Sequence, residues 1–255
     1  MNTLTIAGNT FKESVRDRIF YVLLLFAVAL LLCSKAIGWV GLDEAKITQD
    51  FGITTIWFFG VLIAIYVGTG LIYKEIDKRT IYTVLSKPVR KYEFVLGKYL
   101  GLSLMLLVNV AVMALIFLIY HWIMISPPQL GLITAIFLIY LEVAFVTAIA
   151  MMFGSVASPI LSAVFTFVMF FAGHFADAYM LLAQRGKHLG QPLMKHFFLF
   201  LYWVMPNLAF FDRKNEAVHQ LPIAASDVAL AFAYCVIYST ILLIVSLFAF
   251  KRKSF

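Results

Sequence analysis

The stretch "GLITAIFLIYLEVAFVTAIAMMF", residues 131–153, decides the fold, because Glu142 is its single charged residue. A helix of this length extends for about 35 Å, enough to cross the roughly 30 Å hydrocarbon core of a bilayer. Its apolar residues are continuous and do not alternate with polar ones, which excludes a membrane-spanning β-strand. The stretch therefore predicts a transmembrane helix.

Similar runs recur along the 255-residue chain, which is 63% hydrophobic and 13% charged. An ordinary soluble domain is about 45–50% apolar and about 25% charged. The runs predict six membrane spans, at about 19–40, 52–73, 96–125, 131–153, 159–180 and 227–250. The predicted fold is an all-α polytopic membrane protein in which residues 1–255 form a single transmembrane domain.

The segment before the first span, residues 1–17, predicts an amphipathic helix. Its apolar residues recur at three- and four-residue steps, at Leu4, Ala7, Phe11 and Val15. One apolar stripe among charged residues is typical of a helix that lies in the membrane interface.

A large loop, residues 181–226, separates the last two spans. The apolar run 196–211 inside it is about 24 Å long as a helix, too short to cross the hydrocarbon core, and Pro206 breaks it. We therefore expect a re-entrant or interfacial hairpin on the external face. Asp212, Arg213 and Lys214, which follow the run, predict a solvated turn.

The charge distribution predicts the orientation. The N-terminal segment, residues 74–98 and the C-terminal tail carry 13 basic and 5 acidic residues, and the rest of the chain carries 7 and 8, which sums to the net charge of +7. Cytoplasmic loops of membrane proteins are enriched in Lys and Arg. Both termini and residues 74–98 are therefore predicted to be cytoplasmic, in a multi-pass protein of the inner (plasma) membrane, and the basic charge needs no nucleic-acid partner.

Residues 74–98 have a specific sequence pattern, whereas a few Lys and Arg residues would be enough to orient the protein in the membrane. A short helical stretch is followed by Lys87-Pro88, where the chain must be extended, and then by a helix that enters the membrane. Gly97 and Gly101 have the G-x-x-x-G spacing of close helix packing, and Gly154 lies in another turn of small residues. A cytoplasmic partner that pushes on this segment could move the helices on either side of it.

This segment resembles the cytoplasmic coupling segment of ABC-2-type transporter permeases, and most of all the group named for multi-copper enzyme maturation. The residues that carry the resemblance are Glu75, Thr80-Ile81, Leu85-Ser86, Pro88, Arg90 and Gly97-Lys98. Many relatives have Glu-Gly where this chain has Lys78-Arg79, which suggests a partner groove with acidic groups at that point.

The resemblance implies a permease subunit of an ATP-driven exporter, with a second permease copy and an ABC ATP-binding subunit as partners. ATP and Mg²⁺ would bind to that partner, and this chain would have no cofactor. The implied ATPase-coupling residues are Glu75, Asp77, Lys78, Arg79, Thr80, Tyr82, Ser86, Pro88 and Arg90.

The residues agree that the chain is not itself an ATPase. Its nearest approach to a phosphate-binding loop is "LGK" at 96–98, with Tyr92 where the first glycine is needed and Tyr99 where Ser or Thr is needed.

Three polar residues inside the predicted spans form a possible intramembrane site: Glu142, His174 and Asp177. A carboxyl group in mid-membrane costs about 2–3 kcal/mol or more, so it should face the bundle or a cavity. It could line a substrate or proton path, or be a structural glutamate bonded to a neighbouring helix. His174 and Asp177 are expected to share one helix face, and no metal site is predicted.

A mechanotransmitter that passes the ATPase stroke to a periplasmic partner is the alternative, and the sequence barely separates it from a transporter, because both would receive the stroke at residues 74–98. Two other functions have weaker support in the sequence. An ion-coupled secondary transporter would show internal repeats and broken helices at the midplane. An intramembrane protease would need a recognisable catalytic constellation, and none occurs.

Overall fold

The computed structural model describes residues 3–38, 43–77, 90–125, 129–188 and 191–252, and every regular element in these ranges is an α-helix. The all-α fold is therefore confirmed. In chain order the helices are α1 (Thr3–Val15), α2 (Arg18–Gly38), α3 (Glu44–Asp77), α4 (Lys91–Met124), α5 (Leu130–Gly154), α6 (Pro159–His174), α7 (Ala176–His188), α8 (Pro192–Val204), α9 (Lys214–Val218) and α10 (Ala225–Arg252).

Four of these helices, α3, α4, α5 and α10, are long and apolar enough to cross a membrane. Helices α6 and α7 pass the same test together, across a bend of 59°, and make a fifth span if they are counted as one. Within the part of α2 whose side chains are described, Phe20–Cys33 is a shorter apolar helix. The polytopic membrane fold is confirmed, and the count of six spans stays a prediction.

Helix α5 lies at the centre of the bundle. Every residue from Leu141 to Met151 is buried, and the helix packs against α3, α4, α6, α9 and α10. A helix surrounded on all sides has no polar face, which explains why the stretch that decides the fold is apolar all round. In α10, by contrast, only 28% of the most apolar window is buried, so most of its surface is left for lipid or a partner.

Helices α3 and α4 are each 34 residues long and exceed the predicted spans. Asp43 precedes α3 and accepts a hydrogen bond from the backbone N–H of Lys46 (3.3 Å), which marks the start of the helix. The hydrogen bond from the Lys46 side chain holds the pKa of Asp43 below its ordinary value. At 1.5 Å per residue, each of the two helices is a rod of about 50 Å.

Helix α1 forms as predicted, but the apolar stripe predicted for it is only partly correct. Its buried residues are Ile6, Ala7, Thr10 and Ser14, whereas Leu4 is 79% exposed. The helix packs lengthwise on α4. The buried residues of α1 are mostly small because α4 faces them with two glycines. Helices that approach each other closely have small residues at the contact.

The hairpin predicted within residues 196–211 is not confirmed. The first half of this run belongs to α8, which ends before Pro206 and packs against α7 as a helical hairpin. The second half turns into the bundle, where the N–H of Leu208 donates to the carbonyl of Gly173 (3.0 Å). That α7 and α8 lie in or on the membrane remains a prediction.

Residues 205–218, here called the cap segment, cover one end of the bundle. They include α9, which contacts α3 and α5, and the side chains of Leu208, Phe211, Ala217 and Val218 are buried. The predicted solvated turn is therefore wrong for Lys214, whose side chain is only 15% exposed.

Candidate functional site

Most of the predicted coupling residues fall outside the described ranges: Lys78, Arg79, Thr80, Tyr82, Ser86 and Pro88. Glu75 and Asp77 belong to the last turn of α3, and Arg90 directly precedes α4. The coupling residues therefore join the ends of the two longest helices in the described part of the chain.

Arg90 has the position of an N-cap. Its backbone N–H donates to the carboxylate of Glu93 (3.3 Å), and its guanidinium donates to the hydroxyl of Tyr92 (3.1 Å). The backbone at Arg90 is extended, so the chain turns sharply into α4 at this residue. The bond to the Tyr92 hydroxyl raises the pKa of Arg90 above its ordinary value.

The glycines predicted to pack helices lie at close contacts on this same end of the bundle. A Cβ added to Gly97 would lie 2.7 Å from the Cβ of Ile6, and one added to Gly101 would lie 2.5 Å from the carbonyl oxygen of Ala7. One added to Gly154 would lie 3.4 Å from the carbonyl oxygen of Thr69 on α3. We call these contacts, of α1 with α4 and of α3 with α5, the glycine contacts.

A charged pair accompanies the glycine contacts. The ammonium group of Lys98 lies 3.5 Å from a carboxylate oxygen of Glu13, and the two side chains are 6% and 53% exposed. The lysine stem is buried between α1 and α4, while its partner reaches solvent. This arrangement is typical of a long cationic side chain that keeps its charged group near the membrane surface.

Glu142 of α5 is 1% exposed and joins three helices. The indole N–H of Trp57 on α3 donates to its Oε2 (3.0 Å), and Nε2 of His174, the last residue of α6, lies 3.2 Å from its Oε1. A carboxyl group buried in an apolar bundle is tolerated when such polar groups surround it.

The imidazole of His174 is fixed from both sides. Its Nδ1 lies 3.1 Å from the carbonyl oxygen of Phe170, one turn back along α6. Its ring contacts the rings of Phe170 and Trp57, with centroids 4.8 Å and 5.7 Å apart. A carbonyl oxygen can only accept, so Nδ1 carries a hydrogen.

The expectation that His174 and Asp177 share one helix face is wrong. Helix α6 ends at His174, and Asp177 lies in the first turn of α7, beyond the 59° bend, where it is exposed. The bend separates the two side chains that a continuous helix would have aligned. Among the described residues no group of three or more His, Cys, Asp and Glu could hold a metal ion.

Sequence reasoning missed two participants, Trp57 and Lys214. The ammonium group of Lys214 lies 3.6 Å above the centre of the Trp57 ring, a cation–π contact. It also lies 3.5 Å from the carboxylate of Asp212. A tryptophan inside a predicted span was the available signal for Trp57. No local pattern shows that the cap segment folds back over it.

Further charges continue from the cap segment to the start of α10. Arg213 forms ion pairs with Glu216 (2.9 Å) and with Asp227 (3.5 Å). The N–H of Asn207 donates to the hydroxyl of Tyr234 on α10 (2.7 Å). We call Glu142, His174, Trp57 and Lys214, together with these neighbouring ion pairs, the polar cluster.

The model of the family described as ABC-2 family transporter protein matches residues 4–255, nearly the whole chain. No curated protein matches. The match covers the glycine contacts, the coupling residues and the polar cluster alike.

Proposed function

Since the chain belongs to the ABC-2 transporter family, we propose that it is the membrane-spanning subunit of an ATP-driven exporter. A separate subunit hydrolyses ATP, and residues 74–98 receive its stroke. The observation that carries this proposal is that the coupling residues join the ends of α3 and α4, each 34 residues long. Both helices run from that junction to the opposite end of the bundle.

The geometry suggests how a stroke would reach the polar cluster. Trp57 and Asp77 lie on the same continuous helix, about 30 Å apart at 1.5 Å per residue. A push on the end of α3 would therefore move Trp57 and, because α3 and α5 are in contact at Gly154, Glu142 as well, both relative to His174 on α6. The α4 end would move together with α1, because the glycine contacts leave no space between these two helices.

The energy source in this proposal is the ABC ATP-binding subunit, which would bind ATP and Mg²⁺. In this proposal the permease chain needs no catalytic residue and no cofactor site of its own. Its two termini and residues 74–98 face the cytoplasm, on the side where such a subunit docks, as the basic charge of these segments predicts.

The second partner we propose is another copy of this chain. Helix α10 exposes a row of large apolar side chains over most of its length, including Val236, Ile237, Ile241, Ile244 and Phe248. Lipid covers such a surface as well as protein does, so the homodimer is inferred from the family. Two copies would present two coupling segments to two ATP-binding subunits.

A second candidate, the mechanotransmitter, is favoured by the cap segment. Its side chains Leu208 and Phe211 fill the end of the bundle, with 0% and 1% exposure, and α9 packs directly on α3 and α5. Movement of α3 would then displace the cap segment, and with it the α7–α8 hairpin, without moving a cargo through the chain.

The docking test is co-purification with an ABC ATP-binding subunit after co-expression. The variant Glu75→Lys with Arg79→Glu exchanges charges at the proposed docking end of α3. A matched control, Glu44→Lys with Lys46→Glu, exchanges charges at the opposite end of the same helix. We expect wild type and the control to retain the subunit and the first variant to lose it. Equal retention by all three proteins would contradict docking at 74–98.

A further inference from the structure

The contacts of Glu142 and His174 determine how many protons they hold. Nδ1 of His174 faces a carbonyl oxygen, so it is protonated, and Nε2 faces Oε1 of Glu142 at 3.2 Å. Without a proton between them, a nitrogen lone pair would face a carboxylate in a site that excludes water. Such an arrangement is strongly unfavourable, because the Trp57 N–H would be the one donor in contact with the buried negative charge. One proton must therefore lie on the nitrogen or on the oxygen.

Two positions of that proton are compatible with the 3.2 Å separation of the two atoms. In one the carboxyl is neutral and donates to Nε2, and in the other the imidazolium donates to the carboxylate. In both, the indole N–H of Trp57 donates to Oε2 of Glu142, an oxygen that remains an acceptor. The pair binds one proton as a unit, whichever atom carries it.

The groups around the pair come from each helix that packs on it. Helix α3 supplies Trp57, which does not titrate, and α4 faces α5 with Tyr99, whose hydroxyl donates to the Ala144 carbonyl (3.4 Å). Further titratable and charged groups come from the cap segment and from α10: Asp212, Arg213, Lys214, Glu216, Asp227, Tyr234 and Cys235, whose thiol donates to the Leu141 carbonyl (3.4 Å).

The exposure of these groups increases from the pair towards the end of the bundle that the cap segment covers. The side chains of Glu142 and His174 are 1% and 17% exposed, and those of Lys214 and Asp212 are 15% and 38% exposed. Lys214 lies directly over Trp57. Water that reaches Asp212 therefore approaches the pair from this end, whereas the side chains from Val143 to Met151 of α5 are buried on the way to the other end.

We propose that Glu142 and His174 form a proton-binding site that exchanges with the aqueous phase at the end of the bundle covered by the cap segment. The bound proton holds α5 and α6 together at this contact. Separation of the two helices exposes the carboxylate and releases the proton. Because the proton favours contact, removing it at higher pH favours separation. This site does not depend on an ATPase partner, so it can be tested on the purified chain.

Trp57 supplies the reporter, because its indole touches both members of the pair. In a variant that keeps Trp57 but replaces Trp39, Trp122 and Trp203 with Phe, its fluorescence is recorded in nanodiscs between about pH 5 and about pH 9. We expect a single titration. Glu142→Gln preserves an acceptor for Trp57 and should abolish the titration, as should His174→Asn.

The matched control is His196→Asn. His196 also places Nδ1 against the carbonyl one turn back, at 2.6 Å from the oxygen of Pro192, but it is exposed on α8. This variant should titrate like its parent. Survival of the titration in folded Glu142→Gln protein, or absence of any titration in the parent, would overturn the proton site. The isosteric Glu142→Gln change keeps the test valid even if His174→Asn fails to fold.

The side of access is tested with the same reporter in sealed proteoliposomes. A cysteine placed at the exposed Gln191, in a background without Cys33 and Cys235, is labelled by an impermeant maleimide and gives the fraction of molecules with the cap segment outward. After a pH jump outside the vesicles, the prompt change in Trp57 fluorescence should equal that fraction, and an ionophore should release the remainder. A prompt change equal to the complementary fraction would overturn access from the cap side.

Discussion

The glycine contacts and the polar cluster hold helices together by different means. At the glycine contacts, backbones approach until an added Cβ would lie 2.5–2.7 Å from its neighbour, at Gly97 and Gly101. At the polar cluster, the helices meet through hydrogen bonds and charges around Glu142. Close packing admits one arrangement, whereas a polar contact can be broken when water or a proton replaces its partners. The comparison suggests that one end of the bundle transmits force and the other end responds to it.

The largest effect is expected from Gly101→Leu. The new side chain must displace α1, because Ala7 and Thr10 already occupy the space. We expect the free energy of unfolding to fall by about 3 kcal/mol, the upper part of the range for overpacking. Unfolding by SDS in mixed micelles measures it. Gly8→Leu is the control, since nothing lies within 4 Å of a Cβ at Gly8. Equal destabilisation by both would contradict close packing at Gly101.

The next effect is expected from Glu142→Ala in the polar cluster. It removes the acceptor of Trp57 and the partner of His174, and leaves both polar groups buried. We expect a loss of about 2 kcal/mol in the free energy of unfolding, from the same SDS titration. Glu142→Gln keeps the acceptor and should lose less. If the two variants unfold alike, Trp57 draws no stability from this contact.

A smaller effect is expected from Lys214→Met, which keeps the length of the side chain and removes its charge. The cation–π contact with Trp57 at 3.6 Å is lost, and such a contact contributes about 1 kcal/mol when it is partly desolvated. Lys195→Met on α8 is the control. Thermal unfolding should distinguish the two variants, and an unchanged midpoint for Lys214→Met would show that the cap segment is held by its apolar side chains alone.

The smallest effect is expected from Glu13→Gln. Its carboxylate lies 3.5 Å from Lys98, but the side chain is 53% exposed, so solvent screens most of the attraction. We expect a loss below about 0.5 kcal/mol that disappears at high salt. A loss as large as that of Gly101→Leu would mean that charge, and not close packing, holds α1 on α4.

Much of the fold could be predicted because each membrane span can be recognised from its own residues. A continuous apolar run such as residues 131–153 identifies its helix without knowledge of any other element. The spacing of Gly97 and Gly101 likewise indicated a close approach, although the sequence does not say that the neighbour is α1. The ends of α3 were placed too far inward, because its polar terminal residues carry no apolar signal.

The polar cluster could be predicted only in part, because it is assembled from residues far apart in the chain. Glu142 and His174 each stood out as polar groups inside apolar runs, and the structure brings them to 3.2 Å. The bend after His174 removes Asp177 from the group, and the one residue of low helix propensity beside the bend, Gly173, does not by itself predict a break. Lys214 lies far from Trp57 in sequence, so their contact depends on how the cap segment folds back.

The contrast between the two ends is tested most directly by locking each with a disulfide. Gly131→Cys with Ala217→Cys would join α5 to the cap segment, since a Cβ at Gly131 would lie 3.6 Å from the Cα of Ala217. Gly154→Cys with Thr69→Cys would join α5 to α3 at the glycine contacts, where the equivalent distance is 3.7 Å.

The measurement is ATP hydrolysis by the complex with the ATP-binding subunit, before and after reduction, in a background without Cys33 and Cys235. We predict that the first disulfide inhibits hydrolysis and that reduction restores it, whereas the second has little effect because those helices already move together. The account would be contradicted if the second disulfide inhibits hydrolysis as strongly as the first, or if the first does not inhibit it. Either result would mean that the glycine contacts do not transmit movement to the polar cluster.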